Sequence, residues 1–574
     1  MKITEILRRD PTGFSLEFFP PITCKGEYNL QSRISRLKKT SPRFVSVTWG
    51  AGGSSSQKSF GLCKKIQKEQ GLEALLHISA TNFSPEEVIA KLEEVLECGI
   101  QNLLVLRGDA SRQEEYSAGE SPKAQGFQYA SELVQFIRDK FHDKFCIGVG
   151  AYPETHPESA NEERDLFYLK KKVECGADFI MTQFFFDADK YVEWVGKVRA
   201  LGLNQPIIPE VMIIQSSSSF YRLLALTQVK VPDHLRQELR SVSKDDEAVK
   251  ALGVRTASRL ILKLKALLPN PNDLACLHIC TFNLENSVKQ VLEQVGWIAN
   301  PSPAPQTKEV LETIQLLDSL GLWDDHPNGR FGVTASPAFG DVFGHGTIKG
   351  SDFKAWGLPQ SKDDISALCI SFLSGALASL PWAEKSEIES ETESIASHLL
   401  SLNHRGYWTL ASQPAVDAAP SSHPVYGWGP QTKGGYVFQK AFVELMIPTS
   451  LISALSESLR PYPAVTFMAI DQGGNFQTNI TSDPEKLPAC TLTWGVFPHR
   501  EIVQSTLVEE ENLRVWGAEL FQIWEDWAKL YPPTSPSAIL INDIKQSYSV
   551  INLIHNDYKL GSDPLFDILE KVLP

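Results

Sequence analysis

The stretch FSLEFFPP at 14–21 decides the fold, because it is an apolar strand with one ionisable residue, Glu17, near its C-terminal edge. Later apolar runs carry a polar or ionisable residue at the same place: FVSVTWGAGG at 44–53, ALLHISATN at 74–82, NLLVLRGD at 102–109, CIGVGAYPE at 146–154 and FIMTQFFF at 179–186. A barrel of parallel strands brings all its strand C-termini to one mouth, where such folds place their sites. These strand ends therefore predict one shared pocket.

Strands and helices alternate throughout the first half of the chain. Strand-like runs lie near 14–19, 44–49, 74–80, 102–107, 146–152, 179–185, 206–213 and 275–282, with helix-period segments between them. Eight strands in this order and length predict a (β/α)8 TIM barrel, in the α/β class. A doubly wound sheet is the alternative, but it would leave no single rim for the polar strand ends.

Composition limits the kinds of partner. The chain has 574 residues, 42% of them hydrophobic and 22% charged, with a net charge of −14. That balance is typical of a globular protein of several domains and argues against nucleic acid or an anionic membrane as a partner. The nine cysteines form no C-x-x-C pair, and Cys276 and Cys280 fall in an apolar run that reads as core. The N-terminal segment lacks the apolar region of a signal peptide, so we expect a reduced, cytoplasmic protein.

The amino-acid composition changes after Trp297. The stretch NPSPAPQTK at 300–308 is typical of a linker, and short strands rich in Trp, Gly and Pro follow it. We predict a barrel domain at 1–298, a linker at 299–322 and an α+β domain at 323–574. The runs SSSS at 216–219 and ESETES at 389–394 are predicted to be loops.

Two acidic residues stand out at the strand ends. Burial of Glu17 among apolar neighbours is expected to raise its pKa, as a general acid at neutral pH requires. The alternative is a carboxylate that forms a salt bridge under the first loop. Asp109 follows Gly108, which would let the backbone approach a ligand, although a helix N-cap is the alternative.

Other polar residues have ordinary alternatives when taken singly. His77, Tyr152 and His156 suit a satisfied core or loop, and Lys171 and Lys172 suit a solvated helix face. We find no metal-ligand spacing, no Ser-His-Asp order and no P-loop, and we predict no metal site.

The motifs together resemble one family, the methylenetetrahydrofolate reductases. In the first half the resemblance rests on SLEFFPP, VTWGAGG, LRGD, AYPE-x-HPE and TQFFFD, in this order. In the second half PNGRFG, SPAFGD, LASQP, GWGP, GYVFQKAF, TWGVFP and REIVQSTLVE resemble the regulatory domain of the eukaryotic enzymes, fungal forms among them. The resemblance spans nearly the whole chain.

The resemblance implies an activity and its cofactors. It implies FAD at the barrel mouth, NADPH as hydride donor with NADH possible, and reduction of 5,10-methylenetetrahydrofolate to 5-methyltetrahydrofolate by ping-pong kinetics. By motif position, Glu17 would be the general acid that opens the folate ring, and Asp109 would lie by the flavin. Gln183 would hydrogen-bond the folate or the nicotinamide.

The resemblance also implies binding positions. The FAD positions are Thr48, His77, Arg107, Asp109, Tyr129, Ala130, Tyr152, His156, Asp165, Lys171 and Lys172. The substrate positions are Glu17, Gln183, Ser217 and Phe282. The second domain would bind S-adenosylmethionine or S-adenosylhomocysteine through Glu391, Thr409, Ser412, Thr493 and Thr506, with inhibition by S-adenosylmethionine. A homodimer is expected.

The sequence departs from the family pattern at the folate wall. Glu210 and Ile213 stand where Gly and Pro are usual, Ser217 replaces an aromatic, and Ile279 and Cys280 replace two more. Two alternatives therefore stay open: a weakly active or inactive paralogue that serves as a regulatory or oligomerising partner, and another flavin-dependent barrel oxidoreductase.

Overall fold

The computed structural model describes residues 1–9, 13–48, 56–79, 83–107, 126–243, 245–298, 330–340, 353–384, 390–429, 434–480, 489–498 and 500–573. The chain divides into two compact units. The first comprises Met1–Ser111, Ser121–Pro327 and Ala335–Phe343, and the second comprises Arg112–Glu120, Asn328–Thr334 and Gly344–Pro574. The predicted linker at 299–322 lies outside the described residues.

The described part of the first unit is built on nine parallel strands. They are β1 Phe14–Phe18, β2 Val45–Val47, β3 Ala74–Ser79, β4 Asn102–Leu106, β5 Cys146–Ala151, β6 Phe179–Thr182, β7 Ile207–Ile208, β8 Glu210–Met212 and β9 Leu277–Cys280. Their spatial order is β7-β6-β5-β4-β3-β2-β1-β9-β8. All neighbours pair in parallel, with Glu17 of β1 opposite Ser46 of β2 and Cys280 of β9.

Nine strands fill eight barrel positions because one position is split. β7 and β8 are consecutive in the chain and are separated by Pro209 alone. β7 pairs with β6 at one end of the strand order, and β8 pairs with β9 at the other end. The short segment that contains β7 and β8 therefore connects the two ends. Proline has no N–H to contribute to a ladder, which accounts for the break. The predicted TIM barrel is confirmed as a nearly closed parallel barrel.

Helices separate the strands. Their bounds are Ile3–Arg9, Cys24–Lys38, Ser56–Lys65, Pro85–Glu97, Ala130–Phe141, Glu162–Glu174, Ala188–Ala200, Ser217–Thr227, Asp233–Val242, Asp246–Leu267 and Asn286–Gln294, with a π-helical turn at Ile66–Gln70. The local sequence sets their starts, as at Ser84, whose hydroxyl accepts from the Glu87 N–H while the Glu87 carboxylate accepts from the Ser84 N–H.

Strand alternation divides the barrel core into two layers. On β3, Leu76 and Ile78 point outward and pack in the layer beneath the helices, while Leu75 joins an inner cluster with Leu104 and Phe179. Inside the barrel a Cβ at Gly148 would lie 2.3 Å from the Phe179 ring, so only glycine fits there. His77 lies two residues after Leu75 and therefore also faces inward.

The SSSS run is not a loop, so that prediction is wrong. Ser216 is the N-cap of helix Ser217–Thr227, and its hydroxyl accepts from the Ser219 N–H. Serine is favoured at an N-cap because its side chain satisfies an otherwise unpaired backbone donor. Helix start signals therefore outweigh the loop-like composition. ESETES is likewise not irregular over its described residues, because Ser390–Ile395 forms a 3-10 helix.

The second unit is α+β, as predicted. Its strands are β10 Ser379–Leu380, β11 Ala383–Glu384, β12 Trp408–Gln413, β13 Val416–Pro420, β14 Tyr436–Gln439, β15 Ala441–Pro448, β16 Val465–Asp471, β17 Phe476–Thr478, β18 Ala489–Phe497, β19 Arg500–Glu509 and β20 Tyr548–His555. One antiparallel sheet has the order β12-β15-β20-β16-β17, a second has the order β13-β14-β18-β19, and β10 pairs with β11.

Helices pack against these sheets. Their bounds are Phe353–Trp356, Lys362–Leu373, Ala396–His404, Ile452–Leu459, Glu510–Lys529, Pro536–Ser547 and Asp563–Val572, with 3-10 turns at Thr449–Leu451 and Tyr558–Leu560. Trp524 and Trp527 of helix Glu510–Lys529 lie in a buried aromatic cluster, and Trp408 of β12 stacks on Trp524 at 5.9 Å between ring centroids. This cluster accounts for the high tryptophan content of the second half of the sequence.

Two predictions from composition are answered by the described residues. All nine cysteines are free thiols, and Cys276 and Cys280 are buried as predicted. In the described part of the chain no helix is both long and apolar enough to cross a membrane.

Candidate functional site

Glu17 is the centre of a hydrogen-bonded network at the barrel mouth. Its side chain is 6% exposed. Thr48, immediately after β2, donates its hydroxyl to Oε1, and His278 of β9 places Nε2 3.2 Å from Oε2. His77 Nδ1 lies 3.9 Å from Oε1, beyond hydrogen-bonding distance. Among the described residues, histidines rather than a lysine or arginine are the ion-pair partners of this carboxylate.

The pKa of Glu17 shifts in the direction opposite to the sequence expectation. Burial raises it, but the hydrogen bond from His278, the positive potential of His77 and His278 and the Thr48 hydroxyl together lower the pKa to about 2. The prediction of a raised pKa at Glu17 is therefore wrong. The neighbours responsible come from other strands, and each stabilises the ionised form.

His278 is fixed by two serines. Its Nδ1 lies 2.7 Å from the Ser15 hydroxyl, and its Nε2 lies 3.0 Å from the Ser46 hydroxyl. All three residues are fully buried inside the barrel. This arrangement holds the imidazole against Glu17 and sets its orientation.

Glu17 has two further neighbours, Cys280 on the adjoining strand β9 and Glu210 on β8, the strand beyond it. Side-chain oxygens of Glu17 and Glu210 and the Cys280 sulfur all lie within 4.8 Å of one another. Burial and the charge of Glu17 raise the pKa of Glu210 well above its usual value. Burial and both carboxylates likewise raise the pKa of the Cys280 thiol. Protonated carboxyl and thiol groups are poor metal ligands, so this cluster suits a shared proton better than a metal ion.

His77 is a buried histidine with no hydrogen-bond partner in the described part of the chain. It is 3% exposed, and neither ring nitrogen has a hydrogen-bond partner among the described residues. Burial lowers its pKa to about 4, so the imidazole is neutral at physiological pH. An unpaired polar group in the interior is costly, which makes His77 a group prepared to bond a ligand at the mouth.

A second group of predicted cofactor residues surrounds the end of β5. The rings of Tyr152 and His156 meet edge to face at 4.5 Å. Burial lowers the pKa of His156 and raises that of Asp165. Lys172 donates from Nζ to the Gly150 carbonyl, and burial lowers its pKa to about 8. Lys171, by contrast, lies on the exposed face of the same helix.

The remaining predicted cofactor residues lie further out. Tyr129 is exposed and stacks on Tyr168 at 6.2 Å between centroids, with Arg164 over the Tyr168 ring at 5.2 Å. Ala130 begins the helix after Tyr129. Arg107, after β4, forms an exposed ion pair with Glu158 at 2.6 Å.

The predicted substrate residues lie at separate points of the first unit. Gln183 follows β6 and lines an open cleft that Tyr152 and Gln228 also line. Phe282 stacks on Phe19 at 5.7 Å just after β9, and Ser217 opens its helix. Asp109, predicted to lie beside the flavin, falls outside the described residues, as does the glycine-rich loop at 50–53.

In the second unit, two of the predicted ligand residues, Thr493 and Thr506, lie in one row with Gln439. Gln439, Thr493 and Thr506 are aligned across β14, β18 and β19. Gln439 donates its amide to Glu391 at 3.0 Å, and Thr493 donates its hydroxyl to Gln413 at 3.0 Å. Gln439 Oε1 and Thr506 Oγ1 are buried and lack hydrogen-bond partners among the described residues.

Two predicted ligand residues lie on β12, which belongs to the other antiparallel sheet. Thr409 accepts at its hydroxyl from the Asn403 amide at 2.9 Å and donates its backbone N–H to Asn403 Oδ1. Ser412 precedes Gln413 and is half-buried. The row and β12 are connected through the bond between Gln413 and Thr493.

The sequence analysis missed several members of both groups. Inside the barrel it missed His278, Ser15 and Ser46, although the two-residue alternation of β1 and β9 places Ser15 and His278 on the inner face. In the second unit it missed Gln413 and Gln439, which lie in the quoted motifs LASQP and GYVFQKAF. In both cases the signal was a polar residue at a core-facing strand position.

Comparison with known proteins identifies the family. Residues 2–296 match the family model for methylenetetrahydrofolate reductase, and residues 318–574 match the model for its SAM-binding regulatory domain. Methylenetetrahydrofolate reductase 1 of Schizosaccharomyces pombe is 36% identical over 604 residues, covering 100% of this chain and 97% of that protein. Methylenetetrahydrofolate reductase (NADH) 1 of Arabidopsis thaliana is 34% identical, covering 98% of each. A probable methylenetetrahydrofolate reductase (NADPH) of Caenorhabditis elegans is 31% identical, covering 100% of this chain and 90% of that protein.

The fold and these matches define an oxidoreductase with a catalytic barrel followed by a regulatory domain. The chain belongs to the methylenetetrahydrofolate reductase family. The family includes NADH and NADPH forms.

Proposed function

We propose that this protein reduces 5,10-methylenetetrahydrofolate to 5-methyltetrahydrofolate with NADPH, on FAD held at the barrel mouth. The nicotinamide and the folate occupy the same place in turn, so the kinetics are ping-pong. S-adenosylmethionine, and S-adenosylhomocysteine as a competitor, bind to the second unit, and S-adenosylmethionine inhibits. The protein acts in the cytoplasm as a homodimer.

The observation that carries the proposal is the environment of Glu17. A buried carboxylate at the mouth of a barrel, held by a hydroxyl and a histidine from neighbouring strands, is positioned to move a proton. Ring opening of the folate needs a proton on its leaving nitrogen. Glu17 is the group that delivers it, and Gln183 beside the same mouth orients the substrate.

The residues around the mouth suit FAD. The unpaired nitrogens of His77 offer hydrogen bonds to the flavin, and Tyr152 and His156 present an aromatic edge beside it. Lys172 supplies positive charge for the diphosphate, and the exposed Tyr129 offers a ring for the adenine. FAD, when bound, accepts the hydride from the nicotinamide and passes it to the folate. Thr48, Arg107, Asp109, Ala130, Asp165 and Lys171 complete the proposed set.

The second unit suits a ligand with both charged and hydroxyl groups. The unpaired Gln439 and Thr506 oxygens lie in the same row as Thr493, and Glu391 adds a carboxylate that can accept from a ribose or pair with a cation. Unpaired buried acceptors are stabilised when a ligand donates to them. Thr409 and Ser412 on β12 complete the proposed site.

Two nicotinamides could supply the hydride. NADPH is proposed, with NADH as the alternative, because relatives of both kinds resemble the chain at similar identity. Anaerobic titration with each nicotinamide in turn decides between them. A much higher rate constant for flavin reduction by NADH would replace NADPH in the scheme.

Substitution of Glu17 tests the proposal. In Glu17→Gln, reduction of the flavin by NADPH should remain near normal, while oxidation of reduced flavin by the folate should slow by ~10²-fold or more, the usual scale of general acid catalysis. Each half-reaction is followed separately by anaerobic stopped-flow absorbance. Equal damage to both half-reactions would assign Glu17 a structural role.

Glu285→Gln is the matched control. Glu285 is also a buried glutamate of the first unit, but it forms ion pairs with Arg36 at 2.6 Å and Lys289 at 2.5 Å. Loss of the Glu285 carboxylate should lower the thermal stability of the protein and leave the ratio of the rate constants of the two half-reactions unchanged.

The changed folate wall favours a second candidate, a weakly active or inactive paralogue that serves as a regulatory or oligomerising partner. Ile213 and Cys280 are buried aliphatic and thiol side chains, so neither supplies an aromatic face to the substrate. Tight S-adenosylmethionine binding without folate turnover would support this candidate. Flavin bleaching without reoxidation by the folate would indicate another flavin-dependent oxidoreductase.

A further inference from the structure

Glu210 lies beside Glu17 on the inner face of the barrel. β8 pairs with β9 so that Glu210 is opposite His278, and β9 pairs with β1 so that Cys280 is opposite Glu17. Residues in register on parallel strands share a face, and so do residues two apart on one strand. All four side chains therefore face inward. A carboxylate oxygen of Glu210 lies within 4.8 Å of one of Glu17.

The two carboxyl groups have unequal surroundings. Glu17 receives a hydrogen bond from Thr48 and has His278 at 3.2 Å. The Glu210 carboxyl has no hydrogen bond or ion pair with any residue in the described part of the chain. Among the described residues, the charged group that acts on Glu210 is Glu17, whose negative charge opposes ionisation of Glu210. Two carboxylates this close in a buried site cannot both ionise readily, so the ionised member is Glu17 and the neutral one is Glu210.

The other titratable groups facing the pair do not neutralise a second negative charge. Cys280 on β9 remains a neutral thiol, because burial and both carboxyl groups raise its pKa. His278 on the same strand directs Nε2 to Glu17 and Ser46. On β6, Thr182 offers only a hydroxyl, which lies 3.4 Å from the backbone nitrogen of Glu210. His77 of β3 approaches Glu17 rather than Glu210.

We infer that Glu210 is a positioning residue for the proton of Glu17: the two carboxyl groups share one proton, which Glu210 holds and passes to Glu17. In this transfer the O–H bond of Glu210 breaks as an O–H bond forms on Glu17. Glu17 then gives the proton to the folate nitrogen, which leaves the pair with one extra negative charge until water restores the proton. The inference rests on the proposed function of Glu17 and explains how a carboxylate with a lowered pKa can act as an acid at neutral pH.

Infrared spectroscopy tests the shared proton without any turnover. At pH 7 the difference spectrum between the wild-type protein and Glu210→Gln should contain the C=O stretch of one neutral carboxylic acid. The matched control, Glu285→Gln, should show no such loss, because Glu285 is ionised by its two cations. If the Glu210→Gln difference spectrum shows instead the loss of an ionised carboxylate, the inference is wrong.

The pH profile of the folate half-reaction tests the transfer. In the wild type the proton-loaded pair is lost as pH rises through the raised pKa of Glu210, so the rate falls there. In Glu210→Gln, only Glu17 can hold the proton, so the falling limb should move to lower pH and the rate at pH 7 should drop about tenfold or more. Reduction of the flavin by NADPH should be unchanged.

The outcomes separate this inference from the proposed function. If Glu17→Gln slows the folate half-reaction and Glu210→Gln leaves both its rate and its pH profile unchanged, the inference fails and the proposed function stands. If Glu17→Gln leaves the folate half-reaction intact, the proposed function of Glu17 fails and the transfer step fails with it. Glu210→Asp keeps a carboxyl group at this position. If its folate half-reaction is faster than that of Glu210→Gln, and its rate falls at a higher pH, the shared proton is supported over a loss of packing.

Discussion

Each unit of this protein contains a buried glutamate on a central strand, and the two are held in different ways. Glu444 on β15 is completely buried, with Arg330 at 2.7 Å from one carboxylate oxygen and the Trp516 indole N–H at 3.0 Å. Glu17 on β1 is nearly as buried, but its partners are a hydroxyl and histidines. A guanidinium is a permanent cation, whereas an imidazole can gain or lose its proton near neutral pH.

The difference separates a structural carboxylate, Glu444, from Glu17, which we propose to be reactive. Burial raises the pKa of Glu444 even though Arg330 and Trp516 act in the opposite direction. Its partners leave it no route to a substrate. Glu17 lies at the mouth, beside a second carboxyl group and beside His77, whose ring nitrogens have no hydrogen-bond partner among the described residues. Burial of a glutamate is therefore uninformative by itself, and the chemistry of its partners shows its role.

The largest effect is expected at the structural glutamate. Glu444→Ala should lower the free energy of unfolding of the second unit by about 3–5 kcal/mol, because it leaves the Arg330 guanidinium, whose side chain is only 15% exposed, without its carboxylate partner. Chemical denaturation followed by tryptophan fluorescence measures the loss, since Trp516 contacts Glu444 directly. Glu457→Ala removes an exposed ion pair with Arg460 and is the control expected to have little effect. An equally small effect at Glu444 would remove the distinction between the two glutamates.

Lys172 extends the comparison to a buried cation at the mouth. Its pKa of about 8 lies below the usual value because burial disfavours the charged form. Above pH 8 the free protein therefore loses this charge, and the affinity for an anionic diphosphate should fall, by at most tenfold per pH unit for one proton. Flavin retention measured by ultrafiltration between pH 7 and 9.5 checks this. In Lys172→Arg the affinity for FAD should depend less on pH, because arginine keeps its charge over this range. If the affinity of that variant falls as steeply with pH as that of the wild type, Lys172 is not the cause of the pH dependence.

The substrate wall offers a smaller effect at the same mouth. Ser217→Tyr restores an aromatic at a half-buried helix start and should lower the folate KM by up to about tenfold, the worth of one stacking contact. Cys280→Tyr is expected to fail as a repair, because Cys280 is 4% exposed and a larger side chain would overpack the space beside Glu17. Steady-state KM for both variants separates the two sites. No change in KM for Ser217→Tyr would place the folate elsewhere.

The smallest effect is expected in the second unit. Thr493→Val removes the hydrogen bond to Gln413 and should weaken inhibition by S-adenosylmethionine about fivefold, the worth of one hydrogen bond, without changing the uninhibited rate. The inhibition constant measured by NADPH oxidation checks this. Calorimetric binding with no effect on the rate in the wild type would mean that the unit binds the ligand and does not regulate.

Sequence reasoning located the barrel strands well because each is a short apolar run with a polar end. It did not predict the break at Pro209. A proline inside an apolar run can indicate either a strand at the edge of a sheet or a strand divided in two, and the sequence does not distinguish them. It also gave Glu17 the wrong pKa direction. Burial is visible in the local sequence, but Thr48 and His278 reach Glu17 from strands 31 and 261 residues away. Glu210 was recognised as a departure from the family pattern, whereas its closeness to Glu17 depends on the register of β8, β9 and β1.

The central claim is that the mouth around Glu17 carries out both halves of a flavin-dependent folate reduction. The most direct measurement is the absorbance of the purified, FAD-loaded protein under argon, with NADPH added first and methylenetetrahydrofolate second. The account predicts that the flavin bleaches with NADPH and that its colour returns on addition of the folate. Two results would contradict it. One is bleaching that the folate does not reverse, and the other is a flavin that neither NADPH nor NADH reduces.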